Sequence, residues 1–435
     1  MKERKPSILS YVGFRNLFLG QIVSQFGDTL YWIVFPWLVY EVTGSAGAVG
    51  ITLAFEALPY VLLSWYAGAV VDRVDRRLVL IWSDVFSAVL VTLFAAIVLL
   101  DPKPSLWVVC SVVFLLGCVN VFAAPAKHAS TPRLVPEERL IEANALNSYA
   151  QSSMPLIGFA LGAGLLGLLN VFTPSLMYVA VFLFDALTFV GSALFMFALP
   201  SIVPQREDER KAAWKETLEG LRFVRSNEVL FVSLLLAVGM HVFIAPFMPA
   251  YVIVAKDVFD GTTTTLAILE AGFFLGMVFG SLVTMVWKPK AAGVAFSVAL
   301  ALAAIPIVPM GFAKDMWTFF ALNLICGLFV PLAQVPMNTL VQVITPDGYR
   351  GRVNSALSMM AAMVMPLGYL LSGALIAAVG LTGTFAVIGI GFGLTALLGL
   401  ASPGFRSARL PEGDEPQPPE EPPSDTFFPP VEVQA

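Results

Sequence analysis

Little in this chain can carry covalent chemistry. It has three cysteines and two histidines in 435 residues. Cys110, Cys118 and Cys326 stand inside separate apolar runs. They form no CxxC pair and no disulfide framework, and each reads as a small buried hydrophobe. No catalytic Ser, Cys or His set and no metal-ligand spacing occurs, so the chain reads as a non-enzyme without metal or cofactor. The GxxxxGK[ST] loop is missing, which argues against direct ATP use. The opening MKERKPSILSYVGFRNLF has charge but no apolar region ending in a small-residue cleavage site, so no cleaved signal peptide is expected.

Charge is scarce as well. Asp, Glu, Lys and Arg make up 13% of the chain and hydrophobic residues 58%, and the mean hydropathy is +0.82. A soluble domain carries about a quarter charged residues. The bilayer is therefore the expected solvent. Short basic runs such as RERK-type segments read as topological signals, not as nucleic-acid sites. The net charge of −5 arises largely in one segment, PEGDEPQPPEEPPSDTFFPPVEVQA after Leu410. That composition reads as a disordered acidic, Pro-rich cytoplasmic tail over 406–435.

What is abundant is apolar runs of membrane length. A helix needs about 20 mostly apolar residues to cross the hydrocarbon core. Such runs occupy 17–40, 46–71, 78–100, 105–125, 145–168, 174–199, 229–254, 263–287, 291–312, 316–340, 353–378 and 383–402. With the N-terminus inside, all but Lys103, Lys256 and Lys314 of the 25 Lys and Arg fall on the inner side. That is the asymmetry expected of cytoplasmic loops, and one span more or fewer would destroy it. The sequence thus predicts an all-α membrane protein of twelve transmembrane helices. One six-helix half spans 1–199 and another 229–405. A connector at 200–228 holds a partly amphipathic helix with a basic face, suited to the anionic inner leaflet. Both termini are expected in the cytoplasm, and the chain in the cytoplasmic (inner) membrane, as a monomer. Two halves around a long connector suit a transporter with its site near the midplane.

The loop after the second run reads GAVVDRVDRRLVL. Positive-inside charge accounts for its arginines but not for its acids or its glycine. It resembles the signature loop of the major facilitator superfamily, roughly G-x-x-x-D-R-x-G-R-R, through Gly68, Asp72, Arg73, Arg76 and Arg77. Asp75 stands where that motif has a second glycine. The resemblance implies a cytoplasmic latch. Gly68 would allow close helix approach, and Asp72 would meet the N-terminal end of the eleventh span, after Arg352. FRNLFLGQIVSQFGDTLYWIVFPWLVYEVTGSA, FAAPAKHASTPRLVPEERLIEANAL, EGLRFVRSN and VPMNTLVQVITPDGYRGRVNSA further resemble the macrolide-efflux and enterobactin-exporter branch of drug:proton antiporters. The antiporter motif G-P-x-x-G-G is matched in part by Pro155 and Gly158, with Met154 and Phe159 departing from it. Gly158 and Gly162 still make a GxxxG packing face, as do Gly272, Gly276 and Gly280. The fourth run, SLWVVCSVVFLLGCVNVFAAP, lacks the arginine that many proton-coupled relatives carry there.

Ionisable residues inside spans cost a few kcal/mol each and mark function by default. Five occur: Asp28, Glu56, Asp84, Asp185 and Glu270. Asp84 and Asp185, placed near span ends, read mainly as structural. Asp28 shares one helical face with Ser24, Gln25 and Trp32, suited to a wet cavity. Glu56 and Glu270 lie on equivalent spans and suggest a protonatable pair across the cleft. These three are the candidates for proton coupling or substrate binding. His241 reads as packing, while Pro246, Pro249, Pro331 and Pro336 suit bending. The resemblance implies export of a small amphipathic compound, drug-like, macrolide-like or siderophore-like, in exchange for protons. A dedicated single-substrate exporter and a membrane protein acting through its tail are the alternatives.

Overall fold

The apolar runs become long helices. The computed structural model describes residues 7–172, 176–203, 213–287, 289–346 and 349–410. Among these there is no β-strand, only a single bridge between Ala291 and Arg409. The first six spans are α1 (Val12–Thr43), α2 (Ala46–Val71), α3 (Arg76–Leu100), α4 (Leu106–Leu134), α5 (Leu140–Phe172) and α6 (Met177–Phe197). The connector supplies α7 (Ala213–Ser226). The seventh span is α8 (Glu228–Ile244), continued by α9 (Phe247–Ile253) and a π-turn to Val258. Then come α10 (Thr263–Val286), α11 (Ala292–Met310), α12 (Met316–Ile344), α13 (Arg350–Ala401) and α14 (Pro403–Ser407).

Among the described residues, ten helical stretches are long and apolar enough to cross a membrane. The first helix is not among them, because Gln21, Ser24, Gln25, Asp28 and Thr29 dilute its apolar run. Its 32 residues, at about 1.5 Å each, still exceed a hydrocarbon core of about 30 Å. The 52 residues of α13 hold two spans, because Gly380 at φ 69°, ψ 179° breaks the helix and reverses the chain. That conformation is open essentially to glycine alone. With α1 and the divided α13 the spans number twelve, as predicted.

Short turns supply their own caps, which satisfy helix-end amides that lipid cannot. Gly44 at φ 62° ends α1, and Ser45 caps α2. Asp75, Ser105, Asn227 and Asp315 accept from first-turn amides of α3, α4, α8 and α12.

One packing plan occurs twice. In the first half α2 packs on α4, and α3 and α1 pack on α6. In the second half α10 packs on α12, while α11 and α8 pack on the last span, through Gly389 against Val308 and Gly391 against Phe243. The halves meet along α2 with the first part of α13, and along α5 with α10.

Two boundaries differ from the sequence reading. The body continues past residue 405 to Leu410, whose amide donates to the Lys290 carbonyl, after α14 has buried Phe405. Residues 411–435 lie outside the described residues. Among the described residues, the connector's apolar stripe packs on protein. Val224 is fully buried, Phe223 stacks on Tyr349 at 4.6 Å, and Glu219 pairs with Arg352 at 3.3 Å. The start of α13 offers a surface that takes this face. Residues 204–212, with Arg206, Arg210 and Lys211, lie outside the described residues.

Candidate functional site

Two adjoining cavities occupy the middle of the molecule. The larger, about 510 Å³, lies between the halves and is apolar. Phe247, Met248, Phe273 and Phe274 of the second half face Trp32, Met154 and Phe159 of the first. Among the described residues its charged lining is acidic only, Asp28 and Glu270. The second cavity, about 470 Å³, is polar and lies wholly inside the first half. Asp28, Glu56 and Asp185 line it, together with Lys127 and His128. Gln25, Asp28, Trp32 and Gln151 line both. Asp28 therefore stands at the junction.

Local sequence explains these placements. Gly27 meets Asp185 and Thr188 of α6, where any side chain would clash, so α1 comes close enough to bring Asp28 and Asp185 into one cavity. Gly117 of α4 packs on the Glu56 carbonyl and Pro59, which sets the turn carrying Glu56. Three buried polar atoms here, Gln25 Oε1, the Tyr31 hydroxyl and Glu56 Oε2, have no hydrogen-bond partner in the protein. Unsatisfied buried groups are costly and mark a site built for something polar.

The pairing expected between Glu56 and Glu270 does not occur. Glu56 lies in the polar cavity and Glu270 in the apolar one. Tyr369 lines the apolar cavity with Glu270. Asp185 sits mid-helix on α6, 1% exposed, and belongs to the cavity more than its expected structural role allowed. Asp84 accepts from Ser192 at 2.6 Å, a helix-to-helix bond. The sequence also missed Lys127 and His128. Both lie beyond the apolar run 105–125, but α4 runs on to Leu134 and carries both into the polar cavity. The missed signal was helix continuity through Pro125, since proline is tolerated in membrane helices.

The packing glycines contact partner helices. Gly158 and Gly162 meet Thr29 and Leu30 of α1, and Pro155 lines the apolar cavity beside them. Gly276 and Gly280 lie against backbone carbonyls of Leu324 and Leu328 on α12. Asn323, fully buried, donates to the Leu269 carbonyl at 2.7 Å and accepts from Tyr251 at 2.5 Å. His241 Nδ1 lies 2.7 Å from the Ala237 carbonyl, a local packing bond.

The signature loop braces the first half. Arg76, nearly buried, donates to the Ala129 carbonyl at 2.9 Å and pairs with Asp72 at 3.4 Å. Arg77 donates to the Phe197 carbonyl at 2.6 Å. Arg73 is exposed. Among the described residues, nothing stands within 4 Å of where a Gly68 side chain would begin. Asp75 caps α3 and accepts from Ser201 Oγ at 2.6 Å and the Ile202 amide at 2.9 Å.

Contacts between the halves gather at the end opposite the two termini. Gly47 and Gly50 of α2 pack against Gly373 and the Tyr369 carbonyl of α13. Phe159 stacks on Phe274 at 5.1 Å, and Asn170 donates to Thr263 at 3.2 Å. Tyr40 donates to Asp257. Lys256 lies 3.8 Å from Glu41 and over the Trp37 and Tyr40 rings at 5.4 and 5.9 Å. Toward the termini the polar cavity continues along the last turns of α4 and the first of α5, past Lys127 and Asn144.

Comparison with known proteins agrees with this architecture. A profile of the Major Facilitator Superfamily matches residues 17–365 and 245–431. Macrolide efflux protein A of Streptococcus pyogenes is 25% identical over 368 residues, covering 82% of this chain and 88% of that protein. Multidrug efflux pump Tap of Mycolicibacterium fortuitum is 26% identical, covering 91% and 96%. Among solved structures, a bacterial homologue of the human lysosomal transporter Spinster superposes with a TM-score of 0.72 at 13% identity, covering 94% of this chain and all of that one. A bacterial homologue of ferroportin gives 0.68 at 15% identity. Twelve spans in a twice-used packing plan, a cavity between the halves and a profile match over most of the length lead to one assignment: the chain is a multi-pass membrane transporter belonging to the Major Facilitator Superfamily.

Proposed function

We propose that the protein exports small amphipathic compounds across the cytoplasmic membrane in exchange for protons, by alternating access. The observation that carries this reading is Asp28, a carboxylate shared by an apolar cavity between the halves and a polar cavity within one of them. An amphipath fits the first. A proton on Asp28, Glu56 or Asp185 can exchange with water through the second. The names of the efflux relatives support the direction, and the skew of Lys and Arg supports cytoplasmic termini. On that topology the structure is closed outside and open inside. Asp72 with Arg73, Arg76 and Arg77 then latches the cytoplasmic side in the opposite state.

The experiment uses inverted membrane vesicles energised by respiration, with a pH-sensitive dye inside. Macrolides, siderophores and lipophilic cations are added to wild type and to Asp28→Asn, Glu56→Gln and Glu270→Gln. A substrate collapses the proton gradient with wild type and not with Asp28→Asn. Transport that proceeds unchanged without any proton movement sinks the antiport reading.

A further inference from the structure

Lys127 is the feature of the site that antiport alone leaves unused. Its ammonium shares the polar cavity with three carboxylates, Asp28 on α1, Glu56 on α2 and Asp185 on α6. His128 lines the same wall, and the described residues that α5 contributes are neutral, among them Asn144, Asn147 and Gln151. Yet among the described residues Lys127 closes no ion pair within 4.0 Å. A lysine beside carboxylates that it does not bind is placed to move. Its four-carbon stem allows that, where an arginine's rigid fork would favour one fixed pairing. Glu56 Oε2 and Gln25 Oε1 meanwhile stand unpartnered, two acceptors suited to an ammonium. The apolar cavity that joins this one through Asp28 and Trp32 holds no basic side chain among its lining residues.

We propose that Lys127 is a tethered cation: it balances the carboxylates of the polar cavity while no ligand is bound, and the positive end of an amphipathic substrate displaces it. This rests on the transport reading above and adds to it a substrate class and an orientation. The ligand carries a positive charge, its apolar body lies between Phe247, Phe273 and Phe274, and its charged end enters the first half past Asp28. One positive charge replaces another, so the acidic site is never left bare. A positioning lysine of this kind competes with cations, and that distinguishes it from a lysine that merely holds helices together.

The test measures binding to the full-length protein in nanodiscs, against empty nanodiscs, with tetraphenylphosphonium and tetraphenylborate. These two ions share a shape and differ in sign. Removing one charge from such a site changes cation affinity by about tenfold. Lys127→Gln is expected to bind tetraphenylphosphonium about tenfold more tightly, and Lys127→Arg to stay within about twofold of wild type. Proton-driven efflux of the cation is expected to slow in Lys127→Gln, because release is no longer assisted. Equal or weaker cation binding by Lys127→Gln, with the fold intact by thermal melting, overturns the proposal. So does wild-type protein that binds no tetraphenylphosphonium, or a loss confined to tetraphenylborate, which makes the lysine an anion receptor. Proton-coupled transport that persists alongside any of these leaves the transport reading standing. Tighter cation binding by Lys127→Gln without coupled transport in wild type spares the lysine's role and removes the antiport reading.

Discussion

At the scale of the residue, Asp75 shows how one side chain can answer a question the motif poses. It stands where the family pattern has glycine, and it ties three backbone and side-chain donors at the start of α3. Burial pushes its carboxyl up, but hydrogen bonds from Ser201, the Ile202 and Arg77 amides and the charge of Arg77 outweigh that and hold it below the usual carboxylate range. Asp75→Ala is expected to cost about 1 kcal/mol, the common worth of such a cap, seen as a lower melting temperature in detergent. Because the folded carboxyl is the stronger acid, its contribution is complete above the unfolded value of about 3.9. It is lost as pH falls through the lower folded value. The melting difference between wild type and Asp75→Ala therefore shrinks below about pH 4; a difference that grows there contradicts the assignment. Sequence reading found Asp28, Glu56 and Glu270 because acids in apolar runs are conspicuous. It paired Glu56 with Glu270 by symmetry, whereas burial groups Glu56 with Asp28 and Asp185. It missed Lys127 because a span was taken to end where charge begins.

At the scale of the element, the glycines divide into those a pattern reveals and those it hides. Gly272, Gly276 and Gly280 repeat every fourth residue, so a close-packing face is legible from spacing, and the structure supplies its partner, α12. Gly47, Gly50 and Gly373 form the seam between the halves, but the two sides are far apart in the chain, and no local period announces them. Gly50 lies against the Tyr369 carbonyl, so Gly50→Leu forces α2 away from α13. Overpacking of this kind costs about 1–3 kcal/mol, and here it falls on one conformational state. Spin labels at the start of α2 and beside the Gly380 break of α13 are expected to move apart in Gly50→Leu. An unchanged distance distribution would show that the seam does not set the state. The connector taught a similar lesson: amphipathicity fixes that α7 buries one face, not what covers it.

At the scale of the whole molecule, the span count was the most legible feature, because charge asymmetry checks every span against every other. The end of the body was less so. Composition turns acidic after Leu410, and the chain before it already looks like a tail, yet Glu228 accepts from Ser402 at 2.9 Å and from the Gly404 amide at 3.2 Å, while Phe405 is fully buried. Ending the chain after Leu410 is expected to preserve melting temperature and transport. Ending it after Ala401 removes Phe405 and is expected to cost about 3–5 kcal/mol, read as lost expression and early melting. Loss of transport on the shorter deletion alone would favour a partner held by the tail. The glycine seam also has an electrical side. Where backbones touch there is no room for water, so the closed end is the insulating layer, and the cavities stand at the potential of the open end. Most of the membrane voltage then falls across that thin seam. In the proposed alternation, where the seam opens and the other end closes, a charge at Asp28 would cross the field without moving relative to its helix. Each uncompensated charge is worth about 2.3 kcal/mol per 100 mV, so the proposed antiport, run as one cation for one proton, would leave the turnover electrically silent.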